Sequence, residues 1–296
     1  MAWQLSSEGT GPDRPAFGGS GEPHPLGRSL QALQRRAHRG VTLERVHSEV
    51  EEALSHHEFR LQYQPRISIS ELDTTGVEAL LRWNDAERGE LGPKAFLPSV
   101  RQTAAMVPLG RWVMEEACRQ LAVWERARPA TARPLLMSVN VTGLEVLEPG
   151  FSAHLLRTAE DNELPLSQLQ IELDAADELR GDTQLGLRLQ GLRHRGLRVA
   201  IDNVGPAYGL AGNRIGADAV HIDRRWVRSI VDDAEVRSSL AALVVRAHDS
   251  GARVCASGVQ TSEELVALGE IGCDDVQGFL FCPPVDAGEL DWIDDD

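Results

Sequence analysis

Two charged side chains stand in an apolar segment of this chain, residues 76–83, which reads Gly-Val-Glu-Ala-Leu-Leu-Arg-Trp. If the segment is a β-strand, its side chains alternate between two faces, so Glu78, Leu80 and Arg82 share one face. A carboxylate and a guanidinium on one side of an apolar strand must be paired, bound to a ligand or solvated. The segment taken alone favours a structural ion pair.

Other apolar segments also carry single polar residues, namely Asn140, Glu172, Asp202, Asp223 and Gln277. One such residue is usually a hydrogen-bonded core residue, whereas several that converge on one place are better explained by a site. Glu78, Asn140, Glu172 and Asp202 together offer three carboxylates and an amide oxygen, a hard oxygen set that suits Mg²⁺ or Mn²⁺. From spacing alone, a metal site and a hydrogen-bonded polar plug inside a barrel are equal alternatives.

The segments that carry these residues alternate with helical segments. The predicted strands are residues 59–67, 76–83, 135–141, 169–173, 197–204, 219–223, 253–259 and 275–281. Apolar residues at helical spacing predict helices at 42–57, 109–126, 151–162, 185–192, 236–248 and 263–268. The short connection 68–75 suits an antiparallel hairpin between the first two strands. Repeated strand–helix units predict an α/β fold, and eight of them fit a (β/α)₈ barrel. A doubly wound open sheet is the alternative, disfavoured because no phosphate-binding glycine fingerprint follows the first strand.

The composition bounds the class of protein. The chain has 296 residues, of which 42% are hydrophobic, so a sizeable core is expected. Its net charge of −15 argues against nucleic acid or an anionic membrane as the partner. The four cysteines follow no metal-ligand or disulfide spacing, which predicts free thiols in a reducing cytoplasm. Residues 1–40 are rich in Gly, Pro, Ser and Arg, which predicts a flexible, disordered leader before one domain at 41–296.

Short motifs along the chain occur in a specific order. They are Tyr63-Gln64-Pro65, Glu78 to Trp83, Gly92-Pro93, Phe96-Leu97-Pro98, Leu109-Gly110, Trp112-Val113, Ala117-Cys118, Val139-Asn140, His221 to Arg224 and Gln277 to Phe281. Together they resemble the EAL domain, the phosphodiesterase domain for the bacterial second messenger cyclic di-GMP, which is named for the triplet standing here as Glu78-Ala79-Leu80. The resemblance runs from about residue 43 to 292. It implies a modified (β/α)₈ TIM-like barrel whose first strand pair is antiparallel.

The resemblance also implies roles for the matching positions. Glu78, Asn140, Glu172 and Asp202 would hold the first metal ion, Mg²⁺ or Mn²⁺. Gln64 and Arg82 would contact the dinucleotide, with the fork of the Arg82 guanidinium on its phosphate. Asp223 and Gln277 would line the same mouth.

The sequence departs from the family pattern at the catalytic positions, which are Asn203, His221, Ser257, Gln260 and Ala175. Asn203 replaces the second of two adjacent aspartates, and an amide supplies no negative charge to a two-metal site. His221 replaces the family's essential lysine, and the single lysine of the chain, Lys94, is far from it in sequence. Ser257 replaces a glutamate that is a general-base candidate, and a serine cannot act as that base near neutral pH.

Losing a general base typically lowers a rate by about 10²–10⁴-fold. The first hypothesis is therefore a catalytically inactive EAL domain, with at most a single weakened metal site, that binds cyclic di-GMP as a receptor or binds a protein. The alternative is an active, slow phosphodiesterase that gives pGpG and uses His221 in place of the lysine. The third is a protein-interaction module with no ligand. A protein partner is expected but not identified, and a homodimer is left open because the loop at 204–209, which couples subunits in the family, is altered.

Overall fold

Eight strands close into a barrel in this computed structural model, which describes residues 42–129, 131–179, 182–208 and 216–290. The strands are β1 (Phe59–Ser68), β2 (Thr74–Asp85), β3 (Gly89–Leu91), β4 (Leu136–Asn140), β5 (Leu169–Asp174), β6 (Arg198–Val204), β7 (Ala219–Ile222), β8 (Arg253–Ser257) and β9 (Asp275–Gln277). The ring runs β1–β9–β8–β7–β6–β5–β4–β2 and closes where β2 pairs with β1, while β3 pairs with β2 outside the ring. The predicted leader at 1–40 lies outside the described residues.

The barrel is mixed, as the family resemblance implies. β1 runs antiparallel to both of its neighbours, with Gln64 opposite Glu78 on β2 and Ile67 opposite Val276 on β9. The remaining ring pairs, from β2–β4 round to β8–β9, are parallel. The predicted modified (β/α)₈ barrel with an antiparallel first strand pair is thus confirmed, and the doubly wound open sheet is excluded.

Helices surround the ring. They are α1 (42–55), α2 (Pro93–Val100), α3 (Met106–Ala127), α4 (Gly143–Leu147), α5 (Phe151–Asp161), α6 (Ala175–Leu179), α7 (Thr183–Arg193), α8 (Arg224–Val227), α9 (Ala234–Asp249) and α10 (Ser262–Glu270). The six predicted helices are all present. The sequence did not predict α2, α4, α6 and α8, because helices this short span too few turns to develop a readable apolar period. Within the described ranges, no helix is both long and apolar enough to cross a membrane.

The outer face of the ring packs against the helices. On β2 the alternate residues Val77, Ala79, Leu81 and Trp83 are buried, and the side chains between them are only partly covered. The helices supply the other half of the apolar layer, as where the ring of Trp124 on α3 meets Tyr63 with centroids 4.8 Å apart. The alternation expected for a strand therefore puts Glu78 on the inner face.

The inside of the ring is polar. We refer to Arg66, Ser138, Gln170 and Glu172, all buried, as the interior plug. The Arg66 guanidinium donates through Nη2 to Ser138 Oγ at 2.7 Å and to Glu172 Oε1 at 2.9 Å, and Gln170 Nε2 donates to Ser138 Oγ at 3.0 Å. A polar plug and a site were alternatives from the sequence. The barrel contains such a plug, and one of its members, Glu172, is also a predicted site residue that lines the mouth.

Two predicted strands end earlier than expected, because both run into glycines. The strand predicted at 253–259 ends at Ser257, since Gly258 has φ +80°, which a strand cannot continue. The strand predicted at 275–281 ends at Gln277, and the chain then turns with Phe281 N–H donating to the Gly278 carbonyl. A β-carbon on Gly278 would lie 2.0 Å from the carbonyl oxygen of Val259, so this close approach requires glycine.

Candidate functional site

The carboxyl ends of the strands bring most of the predicted site residues to one end of the barrel. Glu78 lies on β2, Glu172 on β5 and Asp202 on β6, while Asn140 ends β4 and Gln277 ends β9. In the parallel register Asn140 lies opposite Glu172. Residues scattered over about 200 positions of sequence therefore share one mouth, which is where barrel folds carry their chemistry.

Glu78 is the acceptor at the centre of an amide network. Asn140 Nδ2 donates to its Oε1 and Gln277 Nε2 to its Oε2, both at 2.6 Å. Gln277 Nε2 also donates to Gln64 Oε1 at 3.0 Å, and Gln64 Nε2 donates to the carbonyl of Cys282 at 2.9 Å. This chain of amides fixes the orientation of the Glu78 carboxylate and links β1, β2, β4 and β9 across the mouth.

A second cluster joins Glu172, Asp202 and His221, each of which has one ligand atom within 4.8 Å of the others. His221 Nδ1 lies 3.4 Å from Glu172 Oε2 and 4.0 Å from Asp202 Oδ1. The imidazole is 2% exposed, and its Nε2 has no partner among the described residues. His221 thus lies against the two carboxylates inside the barrel, and its side chain is not exposed at the end of the barrel where the strands terminate.

The carboxylates of the two clusters differ in acidity. Burial, followed by repulsion from Glu172 and Asp202, raises the pKa of Glu78 to about 7. Burial and the Glu172 charge raise the pKa of Asp202 to about 6. Burial would also raise the pKa of Glu172, but His221 and Arg66 outweigh it and lower that pKa to about 2. Negative charge at the mouth is therefore unbalanced, while Glu172 is neutralised from below.

The open space above these groups is a cavity of about 450 Å³, the mouth cavity. Its lining includes Gln64, Glu78, Asp202, Asp223, Gln277 and Phe279. Beside it lies an adjoining cavity of about 390 Å³ with a largely apolar wall from β2, α2 and α3. Asn140 lines the adjoining cavity, whereas Arg82 lines neither.

Two predicted ligand-binding residues also make bonds within the protein. Asp223 is the N-cap of α8 and accepts from Arg225 N–H at 2.8 Å. Arg82 donates through Nε to Gln62 Oε1 at 2.7 Å and through Nη1 to the Leu81 carbonyl at 2.9 Å. Their roles toward a ligand stay predictions, and any such role for Arg82 needs a ligand that extends beyond the mouth cavity or a side chain that moves.

The residues at the mouth fit one divalent cation. Glu78 and Asp202 carry raised pKa values because of burial and of repulsion from neighbouring carboxylates, and a cation between them would relieve both. The ligands would be Glu78, Glu172, Asp202 and the amide oxygen of Asn140, an oxygen set of the kind that Mg²⁺ and Mn²⁺ prefer. Such an ion would polarise a bound phosphodiester and lower the pKa of a bound water.

The family model of the EAL domain matches residues 47–284. The chain belongs to the EAL domain family. It is 31% identical over 238 residues to the cyclic di-GMP phosphodiesterase PA2567 of Pseudomonas aeruginosa, an alignment that covers 79% of this chain and 40% of the relative. The chain spans 30% to 40% of the length of the first curated relatives it matches.

Solved EAL structures share the fold. A structure of the EAL enzyme Bd1971 with cAMP and cyclic di-GMP bound superposes with a TM-score of 0.80 at 25% identity, covering 90% of this chain and 73% of that one. The PaMucR phosphodiesterase in complex with cyclic di-GMP gives a TM-score of 0.77 at 28% identity, covering 83% of this chain and 99% of that one. The barrel and its mouth are therefore those of an EAL domain.

Asn203 stands at the position of the second aspartate of the EAL pattern, and it is held in the left-handed region with φ +59°. Its Nδ2 donates to Asp174 Oδ2 at 2.9 Å and to Asp202 Oδ2 at 3.0 Å. An amide nitrogen thus occupies the point between two carboxylates where a cation would otherwise be favoured. Asp174 did not enter the predicted site, because only the fold brings it beside Asn203.

Of the three other substituted positions, Ser257 and Gln260 line the mouth cavity and Ala175 does not. The sequence also missed four lining residues, which are Lys94, Arg224, Arg228 and Phe279. Phe279 belongs to a motif noted in the sequence and is 63% exposed, which for a large aromatic side chain is a signal of a contact surface. Lys94 gives no such signal, because its place at the mouth depends on how α2 packs against β2.

Proposed function

We propose that this EAL domain binds cyclic di-GMP in the mouth cavity and acts as a receptor that turns the dinucleotide over slowly or not at all. The binding half rests on the family, whose solved members named above contain this ligand. The second half rests on the substituted catalytic positions. A single weakened Mg²⁺ or Mn²⁺ site at Glu78, Asn140, Glu172 and Asp202 is part of the proposal.

Several lining groups support dinucleotide binding. The amides of Gln64 and Gln277 face a common point with Glu78, so their side chains are already ordered before a ligand arrives. Phe279 presents an exposed ring at the rim, and stacking of a base on an aromatic ring contributes about 1–3 kcal/mol. Arg224 and Arg228 also line the cavity and offer donors to phosphate oxygens.

One observation supports the inactive half of the proposal, namely that, among the described residues, no exposed titratable base stands at the substituted positions of the mouth. His221 is 2% exposed and lies against Glu172 and Asp202, so it is poorly placed to take a proton from a water in the cavity. Ser257 and Gln260 stand where the pattern has two glutamates, and neither titrates near neutral pH. The other carboxylates that line the cavity are Glu78, Glu172 and Asp202, which are proposed to hold the metal, and Asp223, which caps α8.

The test is calorimetric titration of cyclic di-GMP into the purified protein, with and without Mg²⁺, followed by chromatography of the recovered nucleotide. The expected result is saturable binding with intact nucleotide. Phe279→Ala should weaken binding about tenfold or more through lost stacking. Phe281→Ala is the matched control, because Phe281 lies two residues on and does not line the mouth cavity. An absence of binding by the wild type would refute the proposal.

The second candidate function is a slow phosphodiesterase that cuts cyclic di-GMP to pGpG. It is favoured by the carboxylate of Asp174 beside Asn203, which returns a negative charge close to the missing aspartate. It is also favoured by relatives described as phosphodiesterases. Recovery of pGpG in the titration would select this candidate, and loss of that activity in His221→Ala would assign His221 the role of the missing lysine.

The remaining predictions concern the protein's surroundings. A cytoplasmic location, a protein partner and a homodimer stay predictions from the sequence. A ligand-free protein-interaction module is the outcome that an absence of binding would favour.

A further inference from the structure

We propose that Lys94, the single lysine of the chain, binds a phosphodiester oxygen of the cyclic dinucleotide at the mouth, which makes it a specificity-determining residue of the site. This inference rests on the proposed function. The lysine expected at position 221 is absent, and Lys94 brings an ammonium to the same mouth from a different element.

Lys94 lies where the two cavities meet. Lys94 is the second residue of α2, which contacts β2, and it lines both the mouth cavity and the adjoining cavity. Residues shared by the two cavities are Glu78, Leu80, Lys94, Asp202 and Asn203. Lys94 is the one cation among them. A ligand that spans the two cavities would therefore contact the Lys94 side chain as well as the carboxylates of Glu78 and Asp202.

No contact within the described residues accounts for the place of Lys94. It lies in the first turn of α2, where a positive charge opposes the helix dipole, and that turn contains no acidic residue. The N-cap, Gly92, offers no side-chain hydrogen bond to the turn. Lys94 is exposed and makes no hydrogen bond or ion pair with another residue of the described ranges. A residue that disfavours its helix and has no partner in the described protein is expected where a ligand completes the site.

Positively charged side chains reach the mouth from opposite sides of the barrel. β2 and β7 are four positions apart in the ring of eight strands, so they face each other across the barrel. Lys94 reaches the mouth from the β2 side, and Arg224 and Arg228 reach it from α8, directly after β7. A cyclic dinucleotide has two phosphodiesters on opposite sides of its ring. Cations on opposite rims with carboxylates between them match that charge distribution.

The arginine expected to bind phosphate already makes hydrogen bonds within the protein. Arg82 bonds to Gln62 and to the Leu81 carbonyl and lines neither cavity. Rearranging it would break both bonds. A lysine side chain with four rotatable methylene groups and no partner can follow a phosphate without that cost.

The experiment uses the full chain and cyclic di-GMP. Lys94→Gln should weaken binding about tenfold, the effect of one charge-assisted hydrogen bond, and Lys94→Arg should keep most of the affinity. Arg246→Gln, which removes an exposed positive charge in the last turn of α9, at the opposite end of the barrel, is the matched control and should bind as the wild type does.

The single lysine allows a second, direct measurement. Reductive methylation with ¹³C-formaldehyde labels only Lys94 and the α-amino group of the chain, so Lys94 gives one assignable NMR signal. Cyclic di-GMP should shift that signal and slow its labelling. If the wild type binds but Lys94→Gln binds equally and the signal does not move, this inference is overturned while the proposed function stands. If the wild type does not bind, the proposed function itself is refuted.

Discussion

The interior plug and the mouth cavity both contain carboxylates within one barrel, and the pKa values of these carboxylates are shifted in opposite directions. In the plug, Glu172 meets Arg66 at 2.9 Å and His221 at 3.4 Å, and its pKa falls to about 2 despite burial. At the mouth, Glu78 accepts two amide hydrogen bonds and forms no ion pair with another described residue, and burial with the neighbouring carboxylates raises its pKa to about 7. The difference is that Glu172 is paired with cationic side chains, whereas Glu78 accepts hydrogen bonds from neutral amides.

This difference separates structure from function within the polar interior. A buried carboxylate matched by a guanidinium is already neutralised, so Glu172 keeps its charge without a ligand even though it also lines the mouth cavity. A carboxylate that is fully oriented but not neutralised is stable only with a proton or a cation. The mouth is therefore arranged for a ligand that brings positive charge, and the plug supports it from below.

The largest expected effect comes from breaking the plug. Arg66→Met leaves buried Glu172 with His221 as its only ion-pair partner among the described residues, and removing one partner of a buried ion pair typically destabilises a protein by about 3–5 kcal/mol. Urea unfolding measures the change. The double variant Arg66→Met with Glu172→Gln should recover much of the loss, because no uncompensated charge remains. A loss below about 1 kcal/mol in the single variant would contradict the proposed charge balance of the plug.

Asn203→Asp should make the mouth still less balanced. The variant replaces two hydrogen bonds to Asp174 and Asp202 with a third carboxylate, so we expect a loss of about 1–2 kcal/mol in the absence of metal. Mn²⁺ should restore that loss and raise the melting temperature more than it does in the wild type. Calorimetric melting in EDTA and in Mn²⁺ makes the comparison. An unchanged response to Mn²⁺ would mean that the substitution at 203 is not what weakens the second metal position.

Glu78→Gln should have the opposite sign. Removing an unbalanced charge should stabilise the metal-free protein at about pH 8 by about 1 kcal/mol, since the relief exceeds the loss of one amide hydrogen bond. The same variant should lose its response to Mg²⁺ and Mn²⁺. Glu87→Gln, an exposed residue of the turn after β2, is the matched control. Destabilisation of Glu78→Gln in EDTA would show that the carboxylate is already neutralised by another group.

Much of the fold could be predicted from the sequence, because each strand alternates or is mostly apolar and each long helix shows its period. The errors have physical causes. Gly258 and Gly278 end their strands through a positive φ and a close backbone contact, and neither changes the apolar pattern. The short helix α2 has Pro98 inside it and only two buried residues, so it leaves little trace in periodicity.

The site residues that could be predicted are those that interrupt an apolar strand or belong to a family motif. Glu78, Glu172 and Asp202 were found because they interrupt apolar strands, and they converge as parallel strand ends must. Asp174 and Lys94 were missed, because nothing local marks them. Their roles depend on which element packs beside which, the register of β5 with β6 in one case and the contact of α2 with β2 in the other.

The last prediction concerns the shape of the pH dependence of stability, which distinguishes the two regions. The folded pKa of Glu78, about 7, exceeds its ordinary value of 4.5, so the folded protein binds the extra proton and this contribution is lost as pH rises from 4.5 through 7. For Glu172 the folded pKa of about 2 lies below 4.5, so its contribution is complete above 4.5 and is lost as pH falls toward 2. The two carboxyls together favour maximal stability near pH 4.5 in the metal-free protein.

Urea unfolding across this range in EDTA, compared between the wild type and Glu78→Gln, isolates the mouth. The stability of the wild type relative to the variant should decline between about pH 5 and pH 7, by at most about 1.4 kcal/mol per pH unit. Because a metal ion requires ionised carboxylates, Mg²⁺ should reverse the decline and move the maximum to higher pH. A difference that stays constant with pH in EDTA would mean that Glu78 keeps an ordinary acidity, and the contrast between the plug and the mouth would then rest on Asp202 alone.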